Sequence, residues 1–397
     1  MGDNARLMAA QGLRAFAYAF TAILVGRILA SQHYSSIRTA FILTAIILGT
    51  SISSFCVRWL VNTIGTRKSY ALFYAIMMIS GLLITISSST LMFALVGLAG
   101  VLSTDANDNG AATILEQVMF AENTKKGKLG RLLGRYNALS ASAGSLGALA
   151  VGWFAAEVSS SYLHHGFLLF SLCGFGGLIL SLGLTTGVEK KVGSQHRTLR
   201  ESPARRRILQ LAALFALDSA AGGLTTATWL SYYLTQRYHL SAAGLGYLFA
   251  LFAILQSISM VLAPIIAESV GLVATMVFSH LVSNLFLVIA AFCGNVHLAI
   301  LFLLLRASLS QMDIPTRQAL VLEVVPPEER ISASVATSSS RYLVRPLSPV
   351  IAAGTSHFAF AAPLVLAGCL KAVYDLAFLL WARRGGYLRV GVHSSKQ

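Results

Sequence analysis

The tenth apolar stretch of the chain, residues 296–324, carries charged residues at helical spacing. Arg306, Asp313 and Arg317 lie seven and four positions apart, so a helix would place them within about 40° of one another on one face. This face either lines the path of a small-molecule substrate or forms a charge network between helices. Pro315 would kink the helix there, which is tolerated where a cavity accommodates the freed backbone carbonyls.

A second polar group lies in the fourth apolar stretch, residues 90–119. Asp105 and Asn109 share a helix face, and Asp108 lies beside it. The run 103–110 is too polar to face lipid, and its glycine and asparagines predict an interrupted helix. Discontinuous helices at cavities bind ions and substrates. Asp105 and Asp108 are therefore candidates to line a cavity, with a helix cap or salt bridge at the cytoplasmic end as the alternative.

Asp218 is the one carboxyl of the apolar run 211–223. Apolar surroundings disfavour the ionised form of a carboxyl, so Asp218 is a candidate to take up and release protons near physiological pH. The alternative is an ion pair with an arginine of a neighbouring span. Arg14 of the first span, itself a candidate cavity residue, could be that partner.

Two further pairs of polar residues lie in the later spans. Lys371 and Asp375 are four positions apart in the last span, and we expect them to pair with each other. His280 and Asn284 share a face of the ninth span, where we expect them to be polar groups in helix packing.

The composition excludes the possibility that this chain is a soluble enzyme. Of the 397 residues, 56% are apolar and 11% are charged, whereas soluble chains are about a quarter charged. The mean hydropathy is +0.71. The sequence has no phosphate-binding glycine loop, no paired Cys-x-x-Cys and no His-Glu-x-x-His motif. We therefore expect an integral membrane protein that is not an enzyme and has no cofactor and no metal site.

Twelve stretches are apolar over the roughly 20 residues that a bilayer-spanning helix needs. They lie near 13–31, 39–61, 69–88, 90–119, 136–156, 165–187, 208–236, 241–267, 271–293, 296–324, 332–355 and 359–382. Lysine and arginine outside the spans concentrate on the cytoplasmic side. If the N-terminus is inside the cell, the outer loops contain only two such residues, Arg38 and Arg237. This distribution predicts a cell-membrane protein with both termini cytoplasmic.

The net charge of +15 then indicates anionic lipid headgroups, rather than nucleic acid, as the partner of the protein.

The two halves of the chain match each other at an offset of about 206 positions, which indicates duplication. The matching segments contain Glu116 and Arg135 in the first half and Glu323 and Arg341 in the second. We expect each glutamate to be a structural partner of the arginine in its own half, in a gating charge network near the inner interface. The predicted divisions are a six-helix half at 1–187, a basic cytoplasmic linker at 188–207, a second six-helix half at 208–382 and a cytoplasmic tail at 383–397.

The segment after the second span resembles a loop of the major facilitator superfamily, which usually reads Gly-x-x-x-Asp-Arg-x-Gly-Arg-Arg. The chain keeps the second glycine as Gly65 and the basic pair as Arg67 and Lys68, but Asn62 replaces the acid. The resemblance covers nearly the whole chain.

The second copy of this loop, after the eighth span, keeps the acid as Glu268 and the glycine as Gly271 but has no basic pair. If the family's charge relay at this loop locks one conformational state, the resemblance implies that the relay is weakened in the first half.

The resemblance implies an all-α membrane protein with twelve helices in two pseudo-symmetric halves, acting as a monomeric secondary transporter by alternating access. Proton-coupled export of drug-type compounds, in a prokaryotic branch of the family, is the leading hypothesis. The alternative is an organic-anion or metabolite carrier, because Arg14, Arg306 and Arg317 could together grip an anionic group. A non-transporting receptor on a transporter fold is the remote alternative.

Overall fold

The computed structural model describes residues 2–32, 34–105, 110–123, 129–188, 204–326 and 330–388, and every regular element among them is a helix. The helices before the central linker are α1 (Asp3–Ser31), α2 (Ser36–Ile64), α3 (Thr66–Ile86), α4 (Thr90–Leu98), α5 (Ala111–Asn123), α6 (Leu129–Glu157) and α7 (Phe167–Leu182). Those after it are α8 (Arg205–Gly223), α9 (Ala227–Tyr238), α10 (Ala242–Val270), α11 (Leu272–Phe292), α12 (Val296–Leu309), α13 (Asp313–Val324), α14 (Arg330–Val344), α15 (Ser348–Ser356) and α16 (Ala362–Gly385).

Ten helical segments in the described part of the chain are long and apolar enough to cross a membrane. The predicted fourth and eleventh spans correspond to the interrupted pairs α4–α5 and α14–α15. Large apolar side chains such as Trp59, Trp153 and Phe278 are exposed, as expected for helices that face lipid. The prediction of an all-α protein that crosses the membrane many times is confirmed.

The fourth span is interrupted between α4 and α5, as the polar run 103–110 predicted. Gly100 has a φ of +75°, a conformation that glycine adopts without steric cost. Hydroxyls of α2 bond two carbonyls of the interruption: Ser53 donates to Gly100 at 3.3 Å, and Thr50 donates to Leu102 at 3.3 Å. These bonds satisfy backbone groups that a continuous helix would have paired internally.

The tenth span is also interrupted, at residues 310–312 between α12 and α13. Pro315, in the first turn of α13, has no N–H to donate to the carbonyl four residues earlier, and this missing bond favours a break in the helix here. Arg306 therefore lies on α12, whereas Asp313 and Arg317 lie on α13. The expectation that one continuous helix face carries all three residues is wrong.

The turn between α2 and α3 has the same geometry as the turn between α10 and α11. Gly65 has φ 88° and ψ 163°, and Gly271 has φ 92° and ψ 156°. Both conformations favour glycine, and the two positions match at the offset of the sequence repeat. The backbone thus repeats the pattern that the sequence showed.

Contacts within the chain divide it into two compact units. Unit 1 comprises Met1–Val192 and Thr226–Ala253, and unit 2 comprises Gly193–Thr225 and Ile254–Gln397. The helix α9 and the first part of α10 therefore belong with the N-terminal helices. Within unit 1, α6 and α10 approach closely because both lack a side chain at the contact, where a Cβ on Gly246 would lie 2.9 Å from the Cα of Gly152.

Each unit packs its charge-bearing helices around an apolar core. In unit 1, 83% of an apolar 18-residue stretch of α1 is buried. The helix α1 packs against α6, α7 and α9. In unit 2, Phe215, Met276, Leu320 and Phe378 from α8, α11, α13 and α16 form one buried cluster. These cores fix the helices on which the interior charges lie.

Candidate functional site

A chain of ion pairs runs through the interior of unit 2 from α13 to α16. Arg317 donates to Asp313 Oδ2 at 2.8 Å and to Asp218 Oδ2, on α8, at 3.3 Å. Lys371 of α16 donates to the other oxygen of Asp218, Oδ1, at 2.9 Å. None of the four side chains is more than 11% exposed. The opposite charges offset the large cost of removing each ion from water.

His280 of α11 extends this chain to Asp375 on α16. Its Nδ1 lies 2.8 Å from Asp375 Oδ1, and its Nε2 lies 3.3 Å from Lys371 Nζ. Asn284, one turn further along α11, donates to Asp375 Oδ2 at 2.9 Å. Both oxygens of a fully buried carboxylate are therefore bonded. These contacts join α11 to α16, which fits the predicted role of His280 and Asn284 in helix packing.

Two predictions about this network are wrong. Lys371 pairs with Asp218 rather than with Asp375, because Asp375 lies against His280. Asp218 is also not an isolated carboxyl, since two cations flank it. The alternative prediction, an ion pair with an arginine of another span, is confirmed, but the arginine is Arg317 rather than Arg14.

Glu116 of α5 is the centre of a second buried network, in unit 1. Its carboxylate accepts hydrogen bonds from Arg14 Nη2, Tyr70 Oη and Tyr136 Oη, each at 2.6 Å. Arg14 also donates to Thr113 Oγ1 at 3.2 Å. The side chain of Glu116 is 0% exposed and that of Arg14 is 3% exposed. One carboxylate thus ties α1, α3, α5 and α6 together.

The two networks occupy matching spans with reversed polarity. In unit 1 the arginine lies on the first span and the acid on the fourth, whereas in unit 2 the acid lies on the seventh span and the arginine on the tenth. Each arginine also stacks on an aromatic ring: Arg14 lies 5.6 Å from the ring of Tyr18, and Arg317 lies 5.3 Å from that of Phe215.

The predicted partners of the two repeat-related glutamates are wrong. Glu116 pairs with Arg14, while Arg135 is exposed. Glu323 is exposed, and no ion pair joins it to Arg341 in the part of the chain that the structure describes. The two glutamates therefore differ in burial as well as in their partners.

Arg341 of α14 lies beside the unit 2 network without entering an ion pair with its described residues. Its Nε is buried and has no hydrogen-bond partner among the described residues. Its backbone carbonyl accepts a hydrogen bond from Ser219 Oγ at 3.0 Å, which fixes α14 against α8. The guanidinium is repelled by Arg317 and attracted by Asp218 and Asp313. Arg341 therefore adds positive charge to this side of the network.

Asp105 acts as a helix cap in unit 1. Its Oδ1 accepts a hydrogen bond from the N–H of Ala227, the first residue of α9, at 2.9 Å. Beside it, the carbonyl of Thr104 accepts bonds from the N–H and the hydroxyl of Thr228, both at 3.1 Å. A negative charge at a helix N-terminus also complements the helix dipole. Asp108 and Asn109 lie outside the described residues.

The remaining candidates lie near helix ends or at the interruption. Arg306 is half-buried, and its carbonyl accepts a hydrogen bond from Ser283 at 3.4 Å. Arg67 is half-buried, and the exposed members of the two loop copies are Asn62, Lys68 and Glu268. Gly65 and Gly271 form the two matching turns.

The model of the Major Facilitator Superfamily matches residues 7–349. The chain belongs to the major facilitator superfamily. It is therefore a multi-pass integral membrane protein of a transporter family rather than an enzyme, and its fold is that of transporters of small molecules.

Similar proteins span nearly the whole chain at low identity. The Saccharomyces cerevisiae protein "Uncharacterized membrane protein YJR124C" is 21% identical over 387 residues, covering 88% of this chain and 86% of that protein. A D-xylose-proton symporter is similar in structure with a TM-score of 0.74 and 14% identity, covering 94% of this chain and 96% of that one. The human organic anion transporter MFSD10 (TETRAN) has a TM-score of 0.64 and 15% identity, covering 94% and 98%. At these identities the structures show a shared fold.

Sequence reasoning missed the tyrosines that complete the unit 1 network. Tyr70 and Tyr74 lie four residues apart in the apolar third span, and their hydroxyls are 3.3 Å apart in the buried interior. The signal available in the sequence was a pair of hydroxyl-bearing residues on one face of an otherwise apolar helix. Tyr136 directly follows Arg135, and it is the tyrosine, not the arginine, that reaches Glu116.

Proposed function

We propose that this protein is a secondary active transporter that moves a small organic anion by alternating access, coupled to protons. One observation carries the choice of an anion: every buried carboxylate in the described residues already has a partner, whereas Arg341 has no ion pair there. The buried carboxylates are Glu116, Asp218, Asp313 and Asp375.

The charge balance of unit 2 supports this choice. Asp218 and Asp313 share Arg317 and Lys371, so these four charges cancel. Asp375 bonds to His280 and Asn284, and Arg341 adds a positive charge that no ion pair of the described residues neutralises. An arginine offers planar, paired donors that suit a carboxylate or sulfonate. A lipophilic cation would instead need a free carboxylate, and the described interior offers none.

Proton coupling is supported by the way carboxylates and an imidazole share one buried network. Lys371 links Asp218 to His280, and His280 bonds Asp375, so a proton gained or lost at one of these three groups changes the bonds of the others. Ionisable residues inside transporter bundles mark ion and proton pathways in general. The D-xylose-proton symporter has a similar fold and is proton-coupled by its name.

The distribution of basic residues supports a topology for this transporter. We infer a monomer in the cell membrane with both termini cytoplasmic, basic loops facing anionic headgroups, and two six-helix halves joined by the linker 188–207.

The test is thermal stabilisation of the detergent-purified protein by a panel of ions. Benzenesulfonate, benzoate and citrate serve as anionic probes, and tetraphenylphosphonium and ethidium serve as cationic probes. A ligand at a hundredfold excess over its Kd stabilises the folded state by about 2.7 kcal/mol. We expect at least one anion, and neither cation, to raise the melting temperature.

Two variants test whether the anion binds at Arg341. Arg341→Gln removes the unpaired charge without breaking an ion pair of the described network, and it should abolish the stabilisation. Arg384→Gln, at the exposed end of α16, is the matched control and should keep it. Stabilisation by the cations alone, or equal stabilisation of both variants by the anions, would show that the proposal is wrong.

A further inference from the structure

Lys371 has two neighbours that compete for its ammonium group. Its Nζ donates to Asp218 Oδ1 at 2.9 Å and lies 3.3 Å from His280 Nε2. The same His280 nitrogen lies 3.8 Å from Asp218 Oδ1. One carboxylate oxygen thus faces both a lysine that holds it and a histidine nitrogen within about 1 Å of hydrogen-bond distance.

The contacts define the form of His280 that fits this arrangement. An ammonium group is only a donor, so Nε2 facing Lys371 acts as the acceptor and carries no proton. Nδ1 then carries the proton and donates to Asp375 Oδ1 at 2.8 Å. His280 is therefore neutral, with Nδ1–H bonded to a carboxylate and Nε2 accepting from a lysine.

Adding a proton to Nε2 of His280 turns its attractive contact with Lys371 into a repulsive one. The new N–H of the imidazolium would point at an ammonium 3.3 Å away, and two positive groups at that distance repel each other. The same N–H can donate to Asp218 Oδ1 after a shift of about 1 Å. The N–H bond forms as an O–H bond of a hydronium ion breaks and leaves water, and the ammonium of Lys371 stays charged.

There is space beside Lys371 at Gly222 of α8. Apart from its chain neighbours and the backbone of its own helix, a Cβ built on Gly222 would meet one atom within 4 Å among the described residues, the Nζ of Lys371 at 3.9 Å. Lys371 also retains a side-chain exposure of 11% in an otherwise closed network. The ammonium can therefore reach a ligand beside Gly222 once Asp218 releases it.

We propose that protonation of His280 transfers Asp218 from Lys371 to His280, and that the released Lys371 binds the anionic group of the substrate beside Gly222. This inference rests on the proposed anion transport, and it supplies the step that links proton and anion. One proton taken up by the network makes one ammonium available for one anionic group. Arg341 adds a further positive charge beside the network.

The other charged groups around His280 allow this exchange. On α16, Asp375 keeps its bond to Nδ1 in both states, and the ring of Tyr374 lies edge-on to the imidazole at 5.9 Å. On α13, Arg317 remains bonded to Asp218 Oδ2 and to Asp313, so Asp218 keeps one cationic partner throughout. From α12, Arg306 meets α11 through its carbonyl, which bonds Ser283. Asp218 and His280 each exchange Lys371 for the other, so Lys371 is the one described group that ends with fewer partners.

The first measurement needs no substrate. Histidine nitrogen chemical shifts, recorded on full-length protein with ¹⁵N-labelled histidine in nanodiscs, distinguish the neutral and charged rings, and His280→Gln assigns the signal. Spectra recorded at about pH 8 and at about pH 5.5 test the exchange, which requires the Nδ1–H form in the first and the doubly protonated form in the second. A ring that is charged at the higher pH, or neutral at the lower pH, would overturn the exchange.

The second measurement follows binding of benzenesulfonate, which is ionised at both pH values, so any pH effect comes from the protein. If acid raises the fraction of released Lys371 from one tenth to most of the population, affinity should rise about tenfold. His280→Gln imitates the neutral ring, since its amide can donate to Asp375 and accept from Lys371. It should keep the weak, pH-independent binding, whereas His297→Gln, at an exposed position, should behave as wild type.

Two further variants, Asp218→Asn and Gly222→Val, test the release of Lys371 and the binding space beside Gly222. Asp218→Asn frees Lys371 at every pH and should give the tight binding at both pH values. Gly222→Val fills the space beside Lys371, and it should abolish benzenesulfonate binding while leaving the His280 signal to titrate as in wild type. Tight, pH-independent binding in His280→Gln would overturn the exchange.

The failure of this inference and the failure of the proposed function give different results. If benzenesulfonate stabilises the protein equally at both pH values, the exchange is wrong and anion binding stands. If the His280 signal titrates but no anion of the panel binds at either pH, the proposed function is wrong and Lys371 is not an anion ligand.

Discussion

Replacing Glu116 by leucine should destabilise the protein strongly, although the residue is far from any surface. Its carboxylate accepts from Arg14, Tyr70 and Tyr136 at 2.6 Å each, and it has no exposure to solvent. The variant would leave a buried guanidinium without its counter-charge and remove the acceptor of two buried hydroxyls.

The magnitude follows from the cost of an uncompensated buried charge. Removing one partner of a buried ion pair costs about 3–5 kcal/mol, whereas replacing both partners by apolar residues is often neutral. We therefore expect Glu116→Leu to lose about 3–5 kcal/mol of unfolding free energy. The double variant with Arg14→Met should recover at least about 2 kcal/mol of this loss, which a double-mutant cycle measures.

Reversible unfolding by sodium dodecyl sulfate, followed by tryptophan fluorescence, provides the assay. Glu323→Leu is the matched control, because it changes the repeat-related glutamate at an exposed position, where substitutions usually stay within about 0.5 kcal/mol. Equal losses for Glu116→Leu and Glu323→Leu would refute the reasoning. So would a double variant less stable than Glu116→Leu.

Two further predictions concern the interrupted fourth span. Gly49→Val should cost about 1–3 kcal/mol of unfolding free energy, because a Cβ there would clash with the carbonyl oxygen of Gly97 and force α2 and α4 apart. Gly294→Ala, where a Cβ meets nothing within 4 Å, is its control, and equal stability of the two variants would contradict the close contact. Asp105→Ala should cost about 0.5–2 kcal/mol, the usual effect of losing a helix cap, since Ala227 loses its acceptor. Hydrogen exchange should show the loss as faster exchange confined to the first turn of α9, and unchanged exchange there would contradict the capping role.

The spans and their interruptions could be predicted because both depend on local sequence. The length of an apolar run determines whether it crosses a bilayer, and the polar run 103–110 cannot continue as a lipid-facing helix. Pro315 similarly predicts a break in the tenth span, although the break at residues 310–312 begins five residues before it because the missing N–H affects the preceding turn.

The partners of the charged residues could not be predicted, because they lie on other helices. Lys371 and Asp375 are four residues apart, which is the spacing of a helical ion pair, yet each binds a group from another span. Glu116 and Glu323 occupy matching repeat positions. They differ because Arg14 supplies a cation to the first, whereas the seventh span offers the acid Asp218, and Arg317 binds it.

The central claim is that this protein couples the movement of an anion to the movement of a proton through the unit 2 network. The most direct measurement uses proteoliposomes that contain a pH-sensitive dye and receive an inward gradient of benzenesulfonate, with the membrane potential clamped. Our account predicts a change of internal pH that depends on the protein, is retained by Arg384→Gln and is lost in His280→Gln. Benzenesulfonate uptake without any proton movement, or proton movement that persists in His280→Gln, would contradict it.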